Sequence, residues 1–342
     1  MYWIPVATRI VFKSHKVVIL SDSGRLEIRK NYYLCHMSQF RVSYLGCGSA
    51  TPTLRHLPSC QVIDYRDNLF MVDCGECAQL SMRRQRLKYS RLGHIFLSHL
   101  HGDHCLGLPG LISTLALTGK EGGVVTIHTT AEGEAIFRRL IGFFCRETPF
   151  DVHYDIFDPK GSEVIFDSDS LTVSTFPLYH RVPCTGFLFA EKPKLRHLKG
   201  DMMKFYNVPL KDYKRIKEGG DWETPDGRLI PNAALTSPAD EAVSYAYCSD
   251  TVYDERVARS IEGVHTVYHE ATYTDDYRDK ARKRGHSTAA EAARIALAAG
   301  AQQLVLGHFS KRYLDESQHL KEAQAIFPNT IISSEGLSLD LL

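Results

Sequence analysis

The segment His99-Leu100-His101-Gly102-Asp103-His104 places three imidazoles and a carboxylate close together in a chain of 342 residues. It follows the short apolar strand 95–98 and precedes an apolar stretch, 106–118, that reads as buried helix. On an extended backbone, positions i and i+2 share a face, so His99 and His101 point the same way. Gly102 lets the chain turn sharply, and Asp103 and His104 then address a second point nearby. Imidazole and carboxylate are zinc-type ligands, and this set exceeds what one ion needs. Three further candidates share one placement, just past an apolar strand: His180, Asp250 and His308. Together they offer one more nitrogen for each of two ions and a carboxylate able to bridge them. Two divalent ions so held lower the pKa of a water towards ~7 and hold a phosphate oxygen against it.

A second group reads as acid–base machinery. Glu270 lies in His269-Glu270-Ala271-Thr272 after a strand, and His286 precedes Ser287-Thr288 at a helix start. Thr288 and Glu291 have capping-box spacing, which puts His286 just outside the helix. A Glu orienting a His that protonates a leaving alkoxide is one reading. The other is a structural Glu270 and a surface His286. Arg312, next to Tyr313 and shortly after His308, is placed either to hold a phosphate bidentately or to be an ordinary surface cation. Gly46-Cys47-Gly48-Ser49-Ala50-Thr51-Pro52-Thr53 is a glycine-rich turn. It lacks the third glycine of a dinucleotide fingerprint, and Pro52 opposes the helix that fingerprint requires, so a tight turn beside the metal site fits better. Cys74-Gly75-Glu76-Cys77 is a lone CxxC, read here as buried free thiols.

The elements that must carry these residues are those of a globular α/β protein. The chain is 44% hydrophobic and 24% charged, which excludes global disorder and fibrous rods. Hairpin signals dominate early (40–44, 61–65, 69–72), and strands alternate with helices late, so layered α/β with mixed sheets is expected. No stretch is long and apolar enough to span a bilayer, and the N-terminus has the wrong order of charges for a signal peptide. An odd count of nine scattered cysteines then suggests reduced thiols in a cytoplasm. Residues 1–36 are basic and without clear amphipathic period, and are read as an upstream extension to a domain that begins near Met37.

The net charge of +1 at first opposes a nucleic-acid partner. The average conceals a local surplus. Residues 191–241 are polar and look inserted, and 191–217 alone carry +6, leaving −5 for the rest of the chain. Lys192, Lys194, Arg196, Lys199 and Lys204 lie there, interleaved with Phe205, Tyr206 and Tyr213. A charged arm on a near-neutral body suits a phosphate backbone and predicts salt-sensitive binding.

His99 to His104 is the HxHxDH signature of the metallo-β-lactamase fold. With Val72-Asp73-Cys74-Gly75-Glu76, Pro177-Leu178-Tyr179-His180, Ser249-Asp250-Thr251, His269 to Thr272, His286 to Thr288 and Gly307-His308-Phe309-Ser310-Lys311-Arg312-Tyr313, the chain from about Met37 onwards resembles the ribonuclease Z family, the tRNA 3′-processing endonucleases. The resemblance implies a four-layer αββα sandwich and two zinc ions per subunit. His99, His101 and His180 would hold one, Asp103, His104 and His308 the other, and Asp250 would bridge. It further implies that Asp103 activates the water and that His286, oriented by Glu270, protonates the leaving oxygen. The substrate would be precursor tRNA, cut after the acceptor stem to leave a 3′-hydroxyl. A homodimer is implied, in which the arm of one subunit grips tRNA bound by the other. The arm departs from the common bacterial pattern, with Val208-Pro209 where a Gly-Pro pair is usual, and Ser249 stands where Gly is more usual before the Asp. Two other readings use the same residues: a hydrolase of small phosphate or sulfate esters, and an RNA-binding scaffold without turnover. A zinc β-lactamase is disfavoured, because Cys248 is out of register with Asp250.

Overall fold

The computed structural model describes residues 40–341 other than Gly119, together with the backbone of 10–13 and 16–19. The chain divides into two units, Met1–Ser38 and Gln39–Leu342. In the first, β1 (Ile10–Lys13) and β2 (Lys16–Ile19) pair antiparallel. The expectation of an extension ending before Met37 otherwise lies outside the described residues.

The second unit begins with β3 (Phe40–Gly46), β4 (Cys60–Tyr65) and β5 (Asn68–Val72), then alternates through α1 (Ala78–Arg84), β6 (Leu92–Phe96), α2 (Gly102–Cys105), α3 (Leu108–Leu117), β7 (Val124–Thr129), α4 (Ala131–Phe144) and β8 (Asp151–Ile156). β9 (Val164–Asp167), β10 (Leu171–Leu178) and β11 (Cys184–Glu191) follow. An excursion then holds β12 (His197–Leu198), α5 (Gly200–Phe205), α6 (Tyr213–Lys217), β13 (Trp222–Glu223), β14 (Leu229–Ile230), α7 (Asn232–Leu235) and β15 (Thr236–Ser237). The chain returns as β16 (Ser244–Cys248), α8 (Glu255–Ser260), β17 (Thr266–Glu270), α9 (Arg278–Arg284), α10 (Ala289–Ala298), β18 (Gln303–Gly307), α11 (Ser317–Gln324), β19 (Thr330–Ile332) and β20 (Ser338–Asp340).

These strands form two seven-stranded mixed sheets, ordered β20-β3-β4-β5-β6-β7-β8 and β19-β18-β17-β16-β11-β10-β9. Each is antiparallel in one half and parallel in the other, with β5 to β8 and β16 to β19 parallel. The early helices therefore serve parallel strands too, a crossover the sequence reading placed only late. Both faces of the central strands are buried, which is why they read as near-continuous apolar runs. Phe70, Phe96, Phe187, Phe189 and Tyr247 fill the space between the sheets, in a core that extends to Val257 of α8, Ile295 of α10 and Ala323 of α11. Met71, Ile95 and Ile127 pack the opposite way, with Met82 of α1, Leu111 of α3 and Phe137 of α4. The result is the expected αββα sandwich.

The excursion occupies 192–243, close to the expected 191–241, and its flanking strands β11 and β16 pair directly. It has a small core of its own, built from Met203, Val208, Ile216, Trp222, Ile230 and Leu235. The Val208 that departs from the usual Gly-Pro pair is one of these core residues. The arm leaves β11 at Glu191, whereas the turn that carries His180 precedes Cys184, so the strand's length, about 25 Å, separates them.

Candidate metal centre

Every predicted ligand sits where a strand of the sandwich ends. His99 and His101 follow β6, and Asp103 and His104 lie in the first turn of α2; His180 follows β10, Asp250 follows β16 and His308 follows β18. All seven converge. His99 Nε2 lies 3.0 Å from His101 Nδ1, which is 3.2 Å from His180 Nε2. His104 Nε2 lies 3.1 Å from His308 Nε2. Asp250 stands between the two groups: Oδ1 is 3.2 Å from His308 and 3.4 Å from His104, and Oδ2 is 3.6 Å from His99 and 3.7 Å from His180. Asp103 Oδ2 is 3.4 Å from His308 Nε2.

Hydrogen bonds behind the ring decide which nitrogen faces in. Asp73 Oδ2 accepts from the hydroxyls of Ser98 (2.9 Å) and Tyr247 (2.6 Å), so His104 Nδ1, 2.7 Å away, donates to it and Nε2 is turned inward. His180 Nδ1 donates to the Gly285 carbonyl at 2.6 Å. The Thr272 hydroxyl donates to Glu270 Oε2, so its oxygen accepts from His308 Nδ1 at 2.8 Å. Ser98 Oγ likewise stands 3.0 Å from His99 Nδ1. The Nε2 atoms of His104 and His308 thus face one another at 3.1 Å, close enough to share one cation between them. Asp250 Oδ1 is buried and has no hydrogen-bond partner. Burial works to lower the pKa of His104, but Asp250, Asp73 and Asp103 outweigh it and hold it well above its usual value. The same field attracts a metal ion. The donor set, the orphaned oxygen and the field all fit divalent cations.

Two ligand-shell residues carry strained backbone. Asp73 (φ 55°) and His308 (φ 60°) lie in the left-handed region, which non-glycine residues seldom occupy and which concentrates at functional sites. Gly285 (φ +80°) precedes His286, and a Cβ there would stand 2.7 Å from His180 Nδ1. Only glycine permits its carbonyl to hold that ring. The turn at Gly46–Thr53 does border the site: the Ala50 N–H donates to Asp103 Oδ2 at 2.6 Å. Burial would raise the Asp103 carboxyl, but His104 and His308 keep it well below the usual carboxylate range.

Glu270 is both a structural acceptor and a neighbour of His286. Fully buried, it accepts N–H groups of Thr251, Thr272 and Ser287, and its Oε1 lies 3.0 Å from His286 Nδ1. His286 is raised to about 9, since the carboxylates of Glu270 and Asp250 overcome the opposing effect of burial. The capping box forms in both directions between Thr288 and Glu291 and fixes the start of α10. His269 points elsewhere, with Nδ1 on the Glu270 carbonyl and Nε2 buried without a partner.

The cations are placed more variously. The exposed Arg312 guanidinium sits over the rings of Tyr273 and Tyr277, 4.9 and 4.8 Å from their centroids. Tyr313 OH accepts the Thr274 N–H at 2.9 Å and so steadies the loop bearing Thr272. At the root of the arm, Lys192 pairs with Asp167 (2.6 Å), Lys194 with the buried Glu191 (2.8 Å), and Arg196 bonds Thr236 (2.8 Å). Lys199 caps the Ala233 carbonyl yet stays exposed, as does Lys204. The CxxC expectation needs one correction: both thiols are free, but only Cys74 is buried, because Cys77 sits in the exposed turn that starts α1.

Sequence reasoning assigned no role to Asp73, Thr272, Tyr247 or Gly285. Asp73 had a usable signal, since it too follows an apolar strand. Asp73→Asn should leave the fold but weaken metal affinity about 10- to 100-fold, because an amide cannot accept from all these donors. Competition with a chromogenic chelator measures this, and unchanged affinity would remove Asp73 from the account.

The family model described as anti-Pycsar protein Apyc1 matches residues 40–192, which hold five of the seven converging residues and stop before Asp250. Over 305 residues the chain is 50% identical to ribonuclease Z of Bacteroides fragilis, covering 89% of this chain and 100% of that one. The chain belongs to the ribonuclease Z family. Ribonuclease Z of Parabacteroides distasonis is 48% identical over the same coverage. Among solved structures, the short form of human tRNase Z superposes with a TM-score of 0.65 at 24% identity, covering 88% of this chain and 99% of that one. The metallo-β-lactamase fold protein YhfI of Bacillus subtilis gives 0.63 at 19%, with 88% and 99% covered. Both likenesses show the fold.

Proposed function

We propose that this protein is a metal-dependent endoribonuclease that removes the 3′ trailer from precursor tRNA. The observation that carries the reading is the family membership, at 50% identity over the whole of the Bacteroides fragilis protein. The seven converging residues support it. We assign His99, His101 and His180 to one zinc ion, Asp103, His104 and His308 to a second, and Asp250 to both, each of its oxygens facing one group. Ions there supply a water of lowered pKa and charge to match the phosphate.

The chain's own groups complete the reaction. Asp103 accepts the proton of the attacking water. Its position is set by the Ala50 N–H. The water oxygen bonds to phosphorus as the P–O3′ bond breaks, and His286 gives its proton to the departing 3′-oxygen. Glu270 keeps that imidazole charged and oriented through Nδ1. The tRNA keeps a 3′-hydroxyl and the trailer a 5′-phosphate. Arg312, on its tyrosine platform, is assigned to substrate phosphate. Incubating protein, zinc and a trailer-bearing precursor and mapping both new ends tests this. Turnover of small esters without tRNA cleavage would instead favour the small-ester hydrolase, and binding without turnover the scaffold.

The arm, 192–243, we assign to tRNA, with Lys199 and Lys204 exposed and Lys192, Lys194 and Arg196 shaping its base. Its departure from the far end of β11 supports a homodimer in which it serves the other subunit's centre. A chain lacking the arm and an Asp103→Ala chain should each cleave precursor tRNA at least ~10-fold less than wild type, and regain activity when mixed. No recovery would place the arm in cis. No helix among the described residues is long and apolar enough to cross a membrane; we place the enzyme in the cytoplasm, its free thiols reduced. Residues 1–36 we take to be dispensable. A chain starting at Met37 should be soluble and fully active, and an insoluble or inactive product would show otherwise.

A further inference from the structure

A cavity of about 770 Å³ opens beside the metal centre, with His180 and Gly285 forming its inner wall. Lys160, Arg181, Arg256 and Arg282 line it, all four are exposed, and no carboxylate does. This is unexpected in its setting, because outside 191–217 the chain carries a net −5. Arg256 has its guanidinium 4.0 Å above the Tyr179 ring and is bonded to Asp254 through Nε at 2.9 Å. Lys160, Arg181 and Arg282 stand around it on three separate segments: the loop after β8, the turn after β10, and α9. Cations gathered from separate segments against proline and tyrosine walls form a track for phosphates.

We infer that this groove binds the single-stranded RNA on the trailer side of the scissile phosphate. The inference rests on the tRNA reading above. Its volume lies in the ~300–1,000 Å³ range of ligand-sized pockets, which admits one or two nucleotides of single strand and excludes a duplex. In a precursor cut just after the acceptor stem, the RNA before the cut is largely duplex and the RNA after it is single strand. The groove also adjoins the centre without any contribution from the arm, so the two surfaces divide the substrate: the arm takes the tRNA body and the groove the trailer.

The test uses full-length Lys160→Ala/Arg282→Ala, which leaves Arg181, beside a ligand, and Arg256 in place. Two precursors with trailers of one and eight nucleotides are cleaved, and an eight-nucleotide single-stranded RNA is titrated separately by fluorescence anisotropy. The variant should raise KM about tenfold for the long trailer and less than twofold for the short one, and weaken oligonucleotide binding. It should also reduce the slope of log affinity against log salt by about 1.4, two single-strand phosphate contacts having been lost. An equal rise in KM for both trailers, or unchanged oligonucleotide binding, overturns the assignment. If wild type cleaves neither precursor while the variant still loses oligonucleotide binding, the groove stands and the tRNA reading fails.

Discussion

Asp103→Ala folds, elutes as wild type, and loses about 10³-fold or more in cleavage of precursor tRNA. Two features of the residue drive the size of this effect, and a third spares the fold. Its Oδ2 stands 3.4 Å from His308 Nε2 and 3.6 Å from His104 Nε2, so it belongs to the second donor group. The same carboxylate is the base we propose for the water's proton. The neighbouring Ala50 N–H is left without its acceptor, on an exposed turn where solvent replaces it at little cost. The fold is spared because the side chain contributes to neither hydrophobic core. Circular dichroism and kcat/KM on one preparation check the claim. Activity within tenfold of wild type would show that another group takes the proton.

His286→Ala slows the reaction roughly 10²- to 10⁴-fold and leaves the metal content unchanged. His286 Nδ1 is 3.0 Å from Glu270 and 3.8 Å from Asp250, so the ring borders the centre and faces a partner that keeps it protonated. Its proposed work is to supply a proton to a poor leaving group. The loss should therefore be severe for RNA, whose leaving group is an alkoxide, and small for a p-nitrophenyl phosphodiester, which departs unaided. Glu270→Gln should follow the same pattern more weakly. Loss of metal from His286→Ala would make the residue a ligand, and equal loss on both substrates would make it a positioning residue.

The parts legible in the sequence were those set by local rules. The i, i+2 spacing of His99 and His101 on an extended segment is a property of any strand end, and the rings do face one point. Asp250 and His308, each after an apolar strand, come together because β16, β17 and β18 are parallel and end on one side; His180 joins them because β10, two antiparallel pairings from β16, runs the same way. The capping box that fixes the Ser287–Thr288 corner is equally local.

What escaped depends on distant partners. Asp73 acquires its role from the Tyr247 hydroxyl on the opposite sheet, and no spacing rule links β5 to β16. The choice of Nε2 in His104, His180 and His308 is set by hydrogen bonds that Nδ1 makes behind each ring. Charge counting found the basic arm but could not tell Lys192 and Lys194, which carboxylates take up, from the exposed Lys204. Glu270 seemed a choice between cap and catalyst because composition cannot show one carboxylate accepting three backbone N–H groups and a ring nitrogen together.

The central claim is that two metal ions on these seven residues cleave precursor tRNA at the end of the acceptor stem. The most direct measurement strips the protein with a chelator and titrates zinc back while the RNA ends are mapped. Cleavage should be absent from the stripped protein, return in full at two equivalents per chain, and leave a 3′-hydroxyl on the tRNA. Cleavage that persists without metal, or saturates at one equivalent, would contradict the account.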